Sequence, residues 1–107
     1  MSLRTAYREK MAAQLEEQKA RLALLKARAK RVAADGKIMA YEEIADAEEK
    51  LNRMKGKLKE FSQAGEGAWK ELKGGLDKAW KDLSGAGKRA AAKFGGKEKA
   101  QDGRSDA

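Results

Sequence analysis

Within the first 61 residues, positions that are mostly apolar recur at intervals that alternate between three and four residues. One run comprises Met11, Leu15, Gln18, Leu22, Leu25, Ala29, Val32 and Gly36, and a second comprises Ile44, Ala47, Leu51, Met54, Leu58 and Phe61. An average spacing of about 3.5 residues keeps such positions on the side of an α-helix that faces a partner helix in a left-handed coiled coil. Together the two runs form the predicted coiled-coil seam.

The junction between the two runs is compatible with two arrangements. Asp35-Gly36 has the composition of a helix end, with glycine at the left-handed C′ position, and would open a helical hairpin. Alternatively, the spacing continues in steps of four through Gly36, Ala40 and Ile44 as one long helix. A glycine inside a helix costs only ~1 kcal/mol relative to alanine, so the spacing slightly favours the continuous helix. We predict an elongated coiled coil over residues 3–62, as a long helix or a helical hairpin.

The order of the charges constrains how such helices pair. A basic patch is followed along the chain by an acidic segment. The basic patch comprises Lys26, Arg28, Lys30 and Arg31, and the acidic segment comprises Glu42, Glu43, Asp46, Glu48 and Glu49. Parallel pairing in register would place like charges together, whereas antiparallel pairing about Gly36 brings Lys30 near Glu42 and Lys26 near Asp46. The same pairs can form within one chain or between two. The sequence therefore predicts antiparallel pairing, in a homo-oligomer or in a hairpin.

The second half of the chain repeats a phrase at an interval of eleven residues. AWKEL at 68–72 returns as AWKDL at 79–83. Eleven residues complete about three helical turns at 3.67 residues per turn, so residues at this spacing stay on one face of a nearly straight helix. We predict an amphipathic helix within residues 63–96. Its docking face comprises Phe61, Trp69, Leu72, Leu76, Trp80, Leu83 and Phe94.

Glycines make this helix weak unless its docking face is covered. Six glycines lie between residues 65 and 87, and each costs ~1 kcal/mol relative to alanine inside a helix. Burial of each large apolar side chain contributes about 1.5–3 kcal/mol. The segment should therefore fold when it docks on the chain's own coiled coil, on another copy or on a membrane interface. Residues 97–107 are polar without apolar periodicity, which predicts a disordered tail.

The composition excludes the commonest catalytic chemistry. The chain has no His and no Cys, so it lacks the usual metal ligands and proton shuttle. No phosphate-binding loop, dinucleotide fingerprint or nucleophile elbow occurs. We expect no enzymatic activity, no cofactor and no metal.

Charge and hydropathy bear on partners and location. The net charge of +8 permits binding to anionic membranes or to nucleic acid. Basic stretches at 26–31 and 87–94 would serve the nucleic acid, although acidic residues are interleaved elsewhere. Because no apolar run approaches the ~20 residues of a membrane span and no secretory leader is recognisable, we expect a cytoplasmic location, with attachment to the periphery of the inner membrane as the alternative.

The repeat also carries a family resemblance. A charged coiled coil followed by AGEGAWKELKGGLDKAWKDLSGAGKRAAAKF, residues 64–94, resembles a small bacterial coiled-coil family of stress-response proteins first recognised in cyanobacteria. The resemblance implies a non-enzymatic helical protein linked to stress, with no catalytic residues. The eleven-residue repeat is more loosely similar to exchangeable apolipoproteins and late-embryogenesis-abundant proteins, which bind lipid or fold on drying.

These observations lead to one main expectation and two alternatives. We expect a non-catalytic, self-associating helical protein that serves as a stress-related scaffold. The first alternative is binding to a lipid surface through the amphipathic helix of residues 63–94. The second alternative is non-specific binding to nucleic acid.

Overall fold

The structure is a computed structural model, and it describes residues 2–65 and 67–93. Within these residues the protein is all-α, with no strand. Its helices are α1 (Leu3–Ala29), α2 (Ala34–Gln63) and α3 (Trp69–Ala92). The helices α1 and α2 form an antiparallel hairpin, because Lys26 near the end of α1 contacts Glu48 in the first half of α2. The helix α3 packs on both and runs parallel to α1, since its first half contacts Tyr7 and its second half contacts Gln18.

The long helix that the sequence slightly favours is interrupted at a short turn. Lys30 caps the end of α1 with φ −65° and ψ −20°, and Ala33 precedes α2 in an extended conformation with φ −60° and ψ 155°. Gly36 therefore lies inside α2 and does not occupy a C′ position. A continuous helix over 3–62 would measure about 90 Å, whereas the longest dimension of the molecule is 50 Å. The hairpin is stabilised by α3, which needs two adjacent helices to cover its apolar face.

The core lies along the seam of the hairpin. Its buried apolar side chains are Met11, Leu15, Leu22, Leu25, Ala29, Ala40, Ile44, Ala47, Met54, Phe61, Leu76, Ala79, Leu83, Ala86 and Ala90. Leu51 and Leu58 pack against this core and are partly buried. Val32 is also only partly buried, because it belongs to the turn and no longer follows the helical period.

Small side chains on α3 allow it to approach α1 closely. Ala86, Gly87 and Ala90 are all buried. A Cβ atom built on Gly87 would lie only 2.9 Å from Oε1 of Gln18. Gln18 itself is buried, and its Oε1 has no hydrogen-bond partner among the described residues. The absence of a side chain at position 87 leaves room for the end of the Gln18 side chain where α3 meets α1.

The helix is interrupted between α2 and α3, which corrects the prediction that Phe61 lies on the same straight helix face as Trp69 and the residues after it. Ala64 leaves the helical conformation with φ −73° and ψ 146°, and α3 begins at Trp69. Phe61 consequently belongs to α2, and it faces the start of α3 across the break. Phe94 and the predicted disordered tail of 97–107 lie outside the described residues.

Candidate functional site

Three aromatic side chains, one from each helix, meet at the end of the molecule opposite the turn. The ring centroids of Tyr7 and Phe61 are 5.2 Å apart, and those of Phe61 and Trp69 are 6.0 Å apart in an edge-to-face arrangement. Phe61 is fully buried between the other two. Such pairs contribute about 0.5–1.5 kcal/mol beyond their buried area. We name these three residues the aromatic junction.

A polar contact beside the junction joins α1 to α3. The hydroxyl of Tyr7 donates a hydrogen bond to Oδ1 of Asp77, and Nζ of Lys73 lies 3.1 Å from Oδ2 of the same carboxylate. The Lys73 ammonium also lies 4.8 Å from the centroid of the Tyr7 ring. We name Tyr7, Lys73 and Asp77 the clasp. The clasp is a polar contact between the first half of α1 and the first half of α3.

The clasp shifts two pKa values in opposite directions. Burial raises the pKa of Tyr7 well above its ordinary value of 10.0, and the hydrogen bond and negative charge of Asp77 raise it further. Burial also raises the pKa of Asp77, but the hydrogen bonds from Tyr7 and Lys73 outweigh burial and lower it below 3.8. The clasp is therefore intact while the phenol is neutral and the carboxylate is charged.

Tyr7→Phe should reduce the free energy of unfolding by about 1 kcal/mol at pH 7. The change removes a hydrogen bond to a charged group, and the effect is modest because the Asp77 side chain is 42% exposed and water screens it. The lowered pKa of Asp77 means that its charged form stabilises the fold above pH 3.8, and this contribution is lost as the pH falls through the folded pKa. The raised pKa of Tyr7 means that its neutral form stabilises the fold below pH 10.0, and this contribution is lost as the pH rises through the folded pKa.

Urea unfolding from pH 3 to pH 11 checks this clasp prediction. The difference between the native chain and Tyr7→Phe should be largest between about pH 5 and pH 9 and shrink on both sides. Tyr41→Phe is the matched control, since Tyr41 also packs against the core. A difference that does not vary with pH would contradict the hydrogen bond to Asp77.

The apolar docking face continues from the junction along α3. Leu76 and Leu83 are fully buried, whereas Trp69, Leu72 and Trp80 are partly buried at the edge of the core. The described members of the predicted docking face thus come together on the hairpin of the same chain. This face covers the seam between α1 and α2, so the same contacts that bury α3 also close the hairpin.

At the end of the molecule that holds the turn, α3 contacts the acidic segment of α2. The Arg89 guanidinium lies 3.9 Å from Glu43 and 3.5 Å from Asp46. The hydrogen bond from Lys50 lowers the pKa of Asp46 more than burial raises it, and Arg89 lowers it further. These pairs are on the surface, where ion pairs stabilise weakly. They set the direction of α3 more than its stability.

The predicted basic patch lies at the end of α1 and in the turn. Lys26 contacts Glu48 at 3.1 Å, one helical half-turn from the predicted partner Asp46. Arg28 is partly buried, and Lys30 and Arg31 are exposed. Antiparallel contact between basic and acidic segments is therefore present within one chain.

The described residues contain no group of three or more acidic, histidine or cysteine side chains that could hold a metal ion. A shallow hollow of about 150 Å³ lies beside Ser2, Arg4, Thr5 and Arg8, with no acid or nucleophile pair in it.

Sequence reasoning missed the polar members of this surface. Tyr7 lies one turn before Met11, so its position on the buried side of α1 could have been inferred from the helical period. The partnership of Tyr7 with Lys73 and Asp77, and the contact between Gln18 and Gly87, join residues about 70 positions apart. No local pattern in a single sequence carries that information.

None of the helices in 2–65 and 67–93 combines the length and apolar character that a membrane span needs. Comparison of the chain with protein-family models, with curated proteins and with solved structures gives no match.

Proposed function

We propose that this chain is a non-catalytic, self-associating helical protein, used as a stress-related scaffold, and that copies assemble by opening the hairpin at residues 30–33. The observation that supports the proposal is the composition of the turn. It contains Lys30, Arg31, Val32 and Ala33, with no glycine and no proline. Ala33 precedes α2 without a side-chain cap. Because no glycine, proline or capping side chain stabilises this turn, opening it costs little free energy.

Opening the turn gives the long helix that the apolar spacing favours. In that form α1 of one copy would occupy the place of α1 in another, and every helix–helix contact of the closed chain would be made again between copies. Antiparallel contacts such as Lys26 with Glu48 would persist across the new interface. The closed and exchanged forms therefore differ mainly in the turn and in the entropy of association.

The closed hairpin and the continuous helix favour different residue types at position 36. In the closed chain, a Cβ atom at position 36 would lie only 2.9 Å from Cγ1 of Val32. Val32 is β-branched and has little freedom at χ1, so it cannot move away easily. In a continuous helix, positions 32 and 36 are ordinary i,i+4 neighbours, where alanine is favoured over glycine by ~1 kcal/mol. The same methyl group therefore disfavours the hairpin and favours the rod.

Gly36→Ala should shift the protein from monomer toward dimer, and Ala34→Pro should hold it as a monomer. Position 34 is the first helical residue of α2, where proline is well accommodated. Proline there requires an extended residue before it, which Ala33 already is, and it excludes a continuous helix. Light scattering after size-exclusion chromatography, over a hundredfold range of protein concentration, gives the mass of each variant.

Gly56→Ala is the matched control, because Gly56 lies in α2 with nothing within 4 Å of an added Cβ. It should raise stability without changing the mass distribution. Exchange of fluorescence donor and acceptor between labelled copies distinguishes hairpin opening from adhesion of closed monomers. Equal masses for Gly36→Ala and Ala34→Pro at every concentration would refute assembly through the turn.

Binding of lipid through residues 63–94 is a second candidate, favoured by the weakness of α3. Gly74 and Gly75 are exposed and an added Cβ on either would contact nothing. They weaken the helix without serving its packing. If α3 detaches, it releases a stripe with two tryptophans and flanking lysines, which suits an anionic interface. Because the stripe is covered in the closed chain, such binding requires an opening that changes the emission of Trp69 and Trp80.

A further inference from the structure

Large apolar side chains are exposed mainly at one end of the molecule. Among the described residues, Ile38 is 66% exposed, Leu24 is 54% exposed and Met39 is 52% exposed. All three lie close to the turn that joins α1 to α2. The fourth such side chain, Leu3, is 81% exposed and lies at the opposite end, at the start of α1. This exposed set near the turn is separate from the docking face of α3, which is covered.

The three side chains project at similar heights above the turn. Leu24 precedes the last residue of α1 by five positions, and Ile38 follows the first residue of α2 by four. With a rise of about 1.5 Å per residue, both lie roughly 6–8 Å from the helix ends. They point outward, because the inward positions of these helices belong to the core.

Basic side chains surround the same end. Lys30 and Arg31 are exposed in the turn, and Lys37 is next to Ile38. Because Arg89 contacts Glu43, the end of α3 also approaches the turn, and it brings the exposed Lys93. The acidic residues nearest in the chain are Asp35, Glu42 and Glu43, so that residues 24–43 hold five basic residues against three acidic ones. We name Leu24, Ile38, Met39, Lys30, Arg31 and Lys37 the hairpin tip.

We propose that the hairpin tip binds the surface of an anionic lipid membrane. Exposed apolar side chains set among lysines and arginines match a bilayer interface, where the apolar groups enter the acyl boundary and the cations contact headgroups. Nucleic acid would neutralise the cations but leave the apolar side chains without a partner. A second copy docked tip to tip would bring like charges together. This inference goes beyond self-association and does not depend on it.

Sedimentation with vesicles tests the proposal. Vesicles of 30% phosphatidylserine and 70% phosphatidylcholine should bind the native chain, and vesicles of phosphatidylcholine alone should bind it at least tenfold more weakly. Ile38→Asn with Met39→Asn should weaken binding to the anionic vesicles at least tenfold. Leu3→Asn is the matched control at the opposite end, and it should bind as the native chain does.

Two triple variants that remove the same number of positive charges test whether the cations of the hairpin tip bind the membrane. Lys30→Gln, Arg31→Gln and Lys37→Gln together should weaken binding at least tenfold, and binding by the native chain should fall steeply with salt. Lys55→Gln, Lys57→Gln and Lys59→Gln remove the same charge from exposed positions in the second half of α2. This control set should lose much less affinity.

The outcomes separate the tip from the other surfaces. Circular dichroism and urea midpoints should be unchanged in the tip variants, since the altered side chains are mainly exposed. Ala34→Pro, which keeps the hairpin closed, should bind as well as the native chain. Equal losses in tip and control variants would overturn the proposal. A blue shift of the Trp69 and Trp80 emission on adding vesicles, with binding that the tip substitutions do not change, would also overturn it, because the contact would then lie on α3. Retention on duplex DNA without binding to vesicles would overturn it as well.

Discussion

Replacing Phe61 by alanine is expected to lower the free energy of unfolding by about 3–5 kcal/mol. Phe61 is fully buried and contacts Tyr7 of α1 and Trp69 of α3, so truncation opens a cavity where all three helices meet. A small domain has only about 5–15 kcal/mol of stability in total. We expect α3 to detach first, because its first turn loses its aromatic contact while the seam of α1 and α2 keeps its own core.

Urea unfolding followed separately by tryptophan fluorescence and by circular dichroism measures this effect. The fluorescence transition should move to lower urea than the transition in helix content, since both tryptophans lie on α3. Phe61→Leu keeps most of the apolar volume and should cost less than about 1.5 kcal/mol. Ser62→Ala changes an exposed neighbour and should stay within about 0.5 kcal/mol of the native value. A cost for Phe61→Ala as small as that for Ser62→Ala would contradict the aromatic junction.

The second large effect is expected from leucine at position 87. Gly87 is buried where α3 crosses α1, and a Cβ atom there would already lie 2.9 Å from Oε1 of the buried Gln18. Overpacking of this kind costs about 1–3 kcal/mol. Gly74→Leu makes the same chemical change in the same helix where the added Cβ contacts nothing within 4 Å. It should raise stability by up to ~1 kcal/mol through helix propensity.

Thermal and urea unfolding of the two leucine variants, with Gly74→Ala and Gly75→Ala beside them, check this contrast. The alanine variants should each add up to ~1 kcal/mol, because both positions lie inside α3. Stabilisation by leucine at both 74 and 87 would show that α1 and α3 do not approach closely. Destabilisation by alanine at 74 or 75 would show that α3 is broken there.

Several features of the fold follow from local pattern. The period of the first run places Met11, Leu15, Leu22 and Leu25 on one face of a helix, and these side chains are buried in α1. The eleven-residue spacing places Leu72 and Leu83 together in α3, where Leu83 is fully buried. Periodicity succeeds here because burial of one face is a property that each helix must satisfy whatever its partner is.

The path of the chain was decided by tertiary contacts. Residues 30–33 contain no glycine or proline that would predict a turn there. Gly36, a residue type that is common at helix ends, lies inside α2. The break after Gln63 likewise places Phe61 on α2, so that its ring meets Trp69 from another helix. These choices bury the face of α3 in the groove of the hairpin, and that gain exceeds the small differences in helix propensity that the sequence displays.

The candidate surfaces divide in the same way. Sequence alone determined that the chain is helical, basic and amphipathic in its second half, because composition and period are additive along the chain. Only the tertiary structure decided that Tyr7 faces Asp77, that the docking face is covered, and that Ile38 and Met39 stay exposed beside cations. Those facts depend on which helix lies next to which, and contacts between residues far apart in the chain are set by packing rather than by local preference.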